Sequence, residues 1–149
     1  MRKRSKYRPR PVLANPVAWV VEGFTKLNDC TVAARDLRLR NHTALASLVN
    51  GDATFSDLDA VIDISNMSTA LARTHGADWK EEIRAGADAV EAVQNRAEKW
   101  GKVQTTSTEL AAILLLSQIH EAQLDATRLG ELEKARTIAK NGIANLTSN

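Results

Sequence analysis

The densest chemistry in this 149-residue chain is cationic. Arg2, Lys3, Arg4, Lys6, Arg8 and Arg10 crowd the first ten positions, with Tyr7 among them and no carboxylate. Each cation that meets a phosphate releases counterions, and a tyrosine ring between them can stack on an unpaired base. That is chemistry for gripping a polyanion. Arg outnumbers Lys four to two in the stretch, which favours bidentate phosphate contacts. Arg38 and Arg40, next to Arg35, make a second basic cluster expected to extend the same surface. The whole chain carries 20 Lys+Arg against 18 Asp+Glu. Setting aside the six cations of the leader leaves 14 basic and 18 acidic residues, so a leader of +6 precedes a body of about −4. Like charges packed this densely repel and do not fold alone, so the segregation points to an oppositely charged partner.

Catalytic and metal-binding patterns are missing from the sequence. His42, His75 and His120 fall in separate segments, with no His-X-X-X-His, Cys-X-X-Cys or Glu-X-X-His pair. Cys30 is alone, which excludes an intrachain disulfide framework, and no base lies near it in sequence to make it a nucleophile. Glu81 and Glu82 read as solvated charge on a helix face. The glycines are scattered and form no phosphate loop. The expectation is a non-enzymatic protein without metal or cofactor, in which His120 is a hydrogen-bonded core histidine.

These side chains must be carried by helices. With 44% apolar residues, few glycines and three prolines, the chain is neither collagen-like nor wholly disordered, and it is long enough to bury a core of its own. Residues 1–11 are expected to form a flexible basic arm, held extended by Pro9 and Pro11 and reaching about 30 Å. Residues 12–149 are expected to form a single helical domain. Asn15-Pro16 reads as a helix start, with Val17, Trp19, Val20 and Val21 as its apolar turn. Leu37-Arg38-Leu39-Arg40 alternates with period two, which suits a short strand or extended connector better than a helix. Its nearest partner, Cys30-Thr31-Val32, would make a small β-hairpin near residues 30–40.

Beyond Asn41 the periodicity is helical. Ala44, Leu45, Leu48 and Val49 share a face that Gly51 closes. Ser56 is placed to cap the next helix, whose buried side carries Leu58, Val61, Ile62 and Ser65 and which Gly76 ends. Asp78 opens a third helix with Trp79, Ile83, Ala87, Val90, Val93, Ala97 and Trp100 on one stripe, so both tryptophans are expected in the core. Thr106 and Glu109 form a capping box. Leu110 to Ile119 is apolar on nearly every side and is expected at the centre of the bundle. Continued through Ala139, this helix would run about 50 Å. Either Gly130 breaks it or its far end packs on a second copy, making a homodimer. The fold class is therefore mainly α, a compact bundle of four to five helices behind the basic arm.

No apolar stretch is long enough to span a bilayer, and the basic run is not followed by a signal-type apolar region, so a cytoplasmic location is expected. The Asn-X-Ser/Thr triplets at Asn41, Asn66 and Asn145 are accordingly read as chance matches.

Arg2-Lys3-Arg4-Ser5-Lys6-Tyr7-Arg8-Pro9-Arg10-Pro11-Val12, with Trp19-Val20 and Leu39-Arg40-Asn41-His42-Thr43-Ala44-Leu45 further on, is similar to small uncharacterised proteins of temperate phages and prophages of proteobacteria. The likeness covers the first half of the chain. It implies a phage-type accessory or regulatory protein acting in a bacterial cell by binding, and it carries no catalytic motif. The expected partner is nucleic acid or a host nucleoprotein complex, held by Arg2, Lys3, Arg4, Lys6, Tyr7, Arg8, Arg10, Arg38 and Arg40, with no membrane involved. The alternative is a protein-directed inhibitor of a host defence system, for example an anti-CRISPR protein.

Overall fold

A computed structural model describes residues 31–75 and 78–147. The basic arm, the Asn15-Pro16 helix start, Trp19, Cys30 and Gly76 lie outside the described residues. The rest is a helical bundle. Helix α1 spans Thr31–Asn50, α2 Phe55–His75, α3 Lys80–Trp100, α4 Ser107–Ala126 and α5 Leu129–Thr147, with no strand among the described residues.

The hairpin expected near residues 30–40 is replaced by the first half of α1. The alternation of Leu37 and Leu39 with two arginines is local. Over a longer window Ala34, Leu37, Asn41, Ala44, Leu45 and Leu48 recur at three- and four-residue spacing, and all but half-buried Leu37 are buried. Leu39 falls off that stripe and is exposed, as is Val49. Gly51 ends the helix at φ 78°. Its N–H donates to the Leu48 carbonyl at 3.2 Å and that of Asp52 to Ser47 at 3.1 Å, a Schellman closure that needs the left-handed conformation glycine adopts freely.

Helix α2 starts earlier than Ser56 suggests. Thr54 caps it, with its backbone N–H donating to Asp57 Oδ2 at 2.8 Å and its hydroxyl accepting from the Asp57 N–H at 3.3 Å. The Thr54 N–H, together with the Thr54 hydroxyl donating to Asp57 Oδ2 at 2.8 Å, holds the Asp57 carboxyl below its ordinary pKa. α2 occupies the position expected for Leu110–Ile119, since it packs on all four other helices. Small residues at Ala60, Ser65, Ser68 and Ala70 allow that approach from several sides. In α4, Ile113, Leu116, Ile119 and Leu124 are buried, but Leu115 points outward. Nearly continuous hydropathy here therefore does not mean enclosure all round.

Helices α3 and α4 run antiparallel along each other, with Gly86 against Leu116 at one point and Arg96 against Glu109 at another. The six-residue connection 101–106 is fastened by a bidentate clamp: Arg96 donates from Nη2 to Glu109 Oε1 at 2.6 Å and from Nη1 to Oε2 at 2.9 Å, and also to the Gln104 carbonyl at 2.8 Å. The capping box is present as expected, with the Thr106 N–H donating to Glu109 Oε2 at 2.8 Å and the Glu109 N–H to Thr106 Oγ1 at 3.2 Å. Trp79 and Trp100 flank α3 and are 54% and 61% exposed, so the core placement expected for both is overturned. The buried stripe contains Ile83, Val90, Val93 and Ala97, with the small Gly86 and Ala89 beside it, and the two indoles lie beyond its ends.

The long terminal helix is broken, but not at Gly130, which lies inside α5. Thr127 turns to φ −86° and ψ 141°, is fully buried, and donates from its hydroxyl to the Gln123 carbonyl at 2.5 Å. The Arg128 N–H then donates to Glu131 at 2.8 Å, starting α5, which folds back onto α2.

Two tests follow from this packing. A Cβ on Gly86 would lie 2.6 Å from Leu116 Cβ. Gly86→Ala should therefore lower the urea midpoint, because overpacking costs about 1–3 kcal/mol against a gain of up to about 1 kcal/mol in helix propensity. The Arg96 clamp and the Thr106 N–H hold the Glu109 carboxyl down from 4.5 to about 2. Its contribution to stability is present above pH 4.5 and drains as pH falls towards 2. Glu109→Gln should flatten that part of the stability–pH curve, measured by denaturant titration.

Candidate functional site

Helix α1 carries a polar ladder into the bundle. Arg38 and His42, one turn apart, face Glu121 and Asp125, one turn apart on α4. Arg38 Nη2 lies 2.6 Å from Asp125 Oδ1, Arg38 Nη1 3.5 Å from Glu121, and His42 Nε2 3.6 Å from Glu121. The hydrogen bond to Asp125 raises the Arg38 pKa further above its already high value. Two positions along, about 200° around the helix, Arg40 turns instead to α2 and meets Asp63 at 2.8 Å. Arg38 and Arg40 therefore do not share a basic face: each is tied to a carboxylate of another helix. The six cations of the arm and Tyr7 lie outside the described residues.

Beneath this ladder two polar side chains are enclosed. Asn41 is 3% exposed and His120 2%, and neither Asn41 Nδ2 nor His120 Nδ1 has a hydrogen-bond partner. Both line a cavity of about 270 Å³ between α1, α2, α4 and α5. Its apolar walls include Leu37, Ile64, Met67 and Leu132, and its charged lining is Arg40, Asp63, Arg136 and Lys140. Ile64 belongs to the larger apolar cluster of the bundle and Leu132 to a smaller one formed with Ala34, Ala70, Leu71, Leu124 and Ala135. The cavity lies where the two clusters meet.

Next to it, Ser68 and Gln123 lock α2 to α4 reciprocally. The Ser68 hydroxyl donates to Gln123 Oε1 at 2.8 Å, and Gln123 Nε2 donates to the Ser68 carbonyl at 3.1 Å. His120 is thus a core histidine as expected, but its Nδ1 is unsatisfied. Burial pushes its pKa down to about 4, with the positive charge of Arg38 adding to the effect and the Gln123 side chain opposing it. The ring is neutral near pH 7.

Asn41 carries no signal of burial so long as Leu37–Arg40 is read as extended. Once α1 is a helix, an amide on the stripe of Ala34, Leu37, Ala44 and Leu48 is the signal that marks it. The contributions of Ile64 and Lys140 depend on tertiary packing and leave no comparable trace.

Among the described residues no group of three or more His, Cys, Asp or Glu side chains could hold a metal, and no helix is long and apolar enough to cross a membrane. No family model matches the chain, and neither a curated protein nor a solved structure shows significant similarity to it.

The environment of His120 has a direct readout. Its imidazole should titrate by NMR with a midpoint near 4, and the fold should lose stability as pH falls from about 6.5 towards that value, since the unfolded chain takes up the proton first. A midpoint near 6.5 would mean that the ring is solvated.

Proposed function

We propose that this is a non-enzymatic binding protein of phage type, acting in a bacterial cell, whose basic arm grips nucleic acid or a nucleoprotein while the helical body supplies a second surface. The observation that carries this reading is the segregation of charge: six cations in the first ten residues ahead of a body of net negative charge. The described body supports an arm-centred version of it. Arg38, Arg40, Arg96 and Arg136 are each within ion-pair distance of a carboxylate, so these four guanidinium groups are already engaged within the fold. In this version Arg38 and Arg40 serve the bundle, and the phosphate contacts fall to Arg2, Lys3, Arg4, Lys6, Arg8 and Arg10, with Tyr7 stacking.

A second reading, a protein-directed inhibitor of a host defence system such as CRISPR interference, is favoured by one observation. Trp79 and Trp100 stand exposed at opposite ends of α3, and tryptophan is the residue most enriched among the anchors of protein interfaces.

Fluorescence anisotropy with labelled duplex DNA and single-stranded RNA tests the first reading. If all six cations meet phosphates on a duplex, log affinity should fall with log salt at a slope near −5. Deleting residues 1–10 should abolish most of the binding. Arg38→Ala should lower thermal stability and leave the affinity unchanged. A slope near zero, or binding that survives the deletion, defeats the arm-centred reading. Stoichiometric recovery of one host protein after nuclease treatment, lost in Trp79→Ala/Trp100→Ala, would move the assignment to the second.

A further inference from the structure

The geometry points to the cavity between α1, α2, α4 and α5 as a binding site for a compact organic anion: an apolar body with a carboxylate or phosphate at one end and a hydroxyl or carbonyl at the other. It is independent of the arm and of the partner proposed for it.

The inner end of the cavity supplies the first half of the recognition. Asn41 Nδ2 carries two N–H donors, and neither is used in the fold. His120 Nδ1 is equally unpartnered, on a ring that is neutral near pH 7 and so offers one donor and one acceptor. A buried donor left unpaired is costly, and a ligand hydroxyl can accept from Asn41 and donate to His120 at once. Apolar ligands would leave both groups unsatisfied.

The charged lining supplies the second half. Lys140 has no carboxylate within ion-pair distance among the described residues, while Arg40 and Arg136 present guanidinium groups whose pairing with Asp63 and Glu133 is half-exposed. With Arg40 balanced by Asp63 and Arg136 by Glu133, Lys140 is the lining cation left to select an anionic head. Between the two ends the walls are aliphatic, and about 270 Å³ accommodates a molecule of roughly ten to fifteen heavy atoms.

The test uses the full 149-residue chain, isotopically labelled, with 4-hydroxybenzoate as probe, benzoate lacking the hydroxyl and 4-hydroxybenzamide lacking the charge. Saturable shifts are expected at the Asn41 side-chain amide and the His120 ring with 4-hydroxybenzoate. Benzoate and 4-hydroxybenzamide should each bind at least about tenfold more weakly, a loss of about 1.4 kcal/mol. Lys140→Glu, a change at an exposed position that leaves the core intact, should weaken 4-hydroxybenzoate by a similar factor, and Asn41→Leu should abolish the distinction between 4-hydroxybenzoate and benzoate. If Asn41→Leu fails to fold, Lys140→Glu still decides. Shifts confined to Lys140 and Arg136 would mean ion condensation on the surface and overturn the site. Absence of any saturable response to the three probes at 10 mM would overturn it as well.

Discussion

The bundle depends on close approach of helices through small side chains. The described phenylalanine and tryptophans, Phe55, Trp79 and Trp100, are all exposed, so the described interior is built mostly from aliphatic residues, alanine and serine, with one glycine and the buried Asn41, His120 and Thr127. Filling without large aromatic side chains requires short distances between helix axes. Gly86 shows how short: Leu116 occupies the volume where a methyl group would stand. Ala60 and Ala70 present equally small buried side chains on α2, the helix that touches all the others. Core packing at this density leaves little slack, since interior side chains interdigitate at crystal-like density.

Polar groups then decide how the packed helices are registered. The reciprocal Ser68–Gln123 pair sets α2 against α4, Arg38 sets α1 against α4, and the Arg96–Glu109 clamp sets the α3–α4 connection. Each is a specific geometry laid over nonspecific apolar contact. The pairings of Arg38 and Arg40 also bear on function. Guanidinium groups already engaged by carboxylates of the same molecule have little left to offer a phosphate, and this concentrates the electrostatic case on the leader.

Features fixed by local chemistry were legible in the amino-acid sequence. The Thr106–Glu109 capping box, the Gly51 closure and the buried stripe Ile83, Val90, Val93 and Ala97 are visible because capping and helical periodicity act over a few residues. What was obscured had longer-range causes. Four alternating residues at Leu37–Arg40 suggested a strand because the window was too short to include Ala34 and Leu48. The tryptophans looked like core because their positions lie on the right stripe, yet the stripe ends before them. The turn at Thr127 hid behind the more familiar Gly130, although a buried threonine bonded to its own helix breaks the run just as well. The cavity was illegible because it assembles from four helices, and only Asn41 left a trace.

The exposed indoles have a practical corollary. Trp79 and Trp100 are more than half exposed in the native state, so denaturation changes their surroundings less than it would those of buried rings, and their contribution to intrinsic fluorescence will report the loss of the bundle only weakly. The same two rings would respond strongly to anything that settles over them. In this molecule tryptophan emission is better suited to detecting encounters than to following folding.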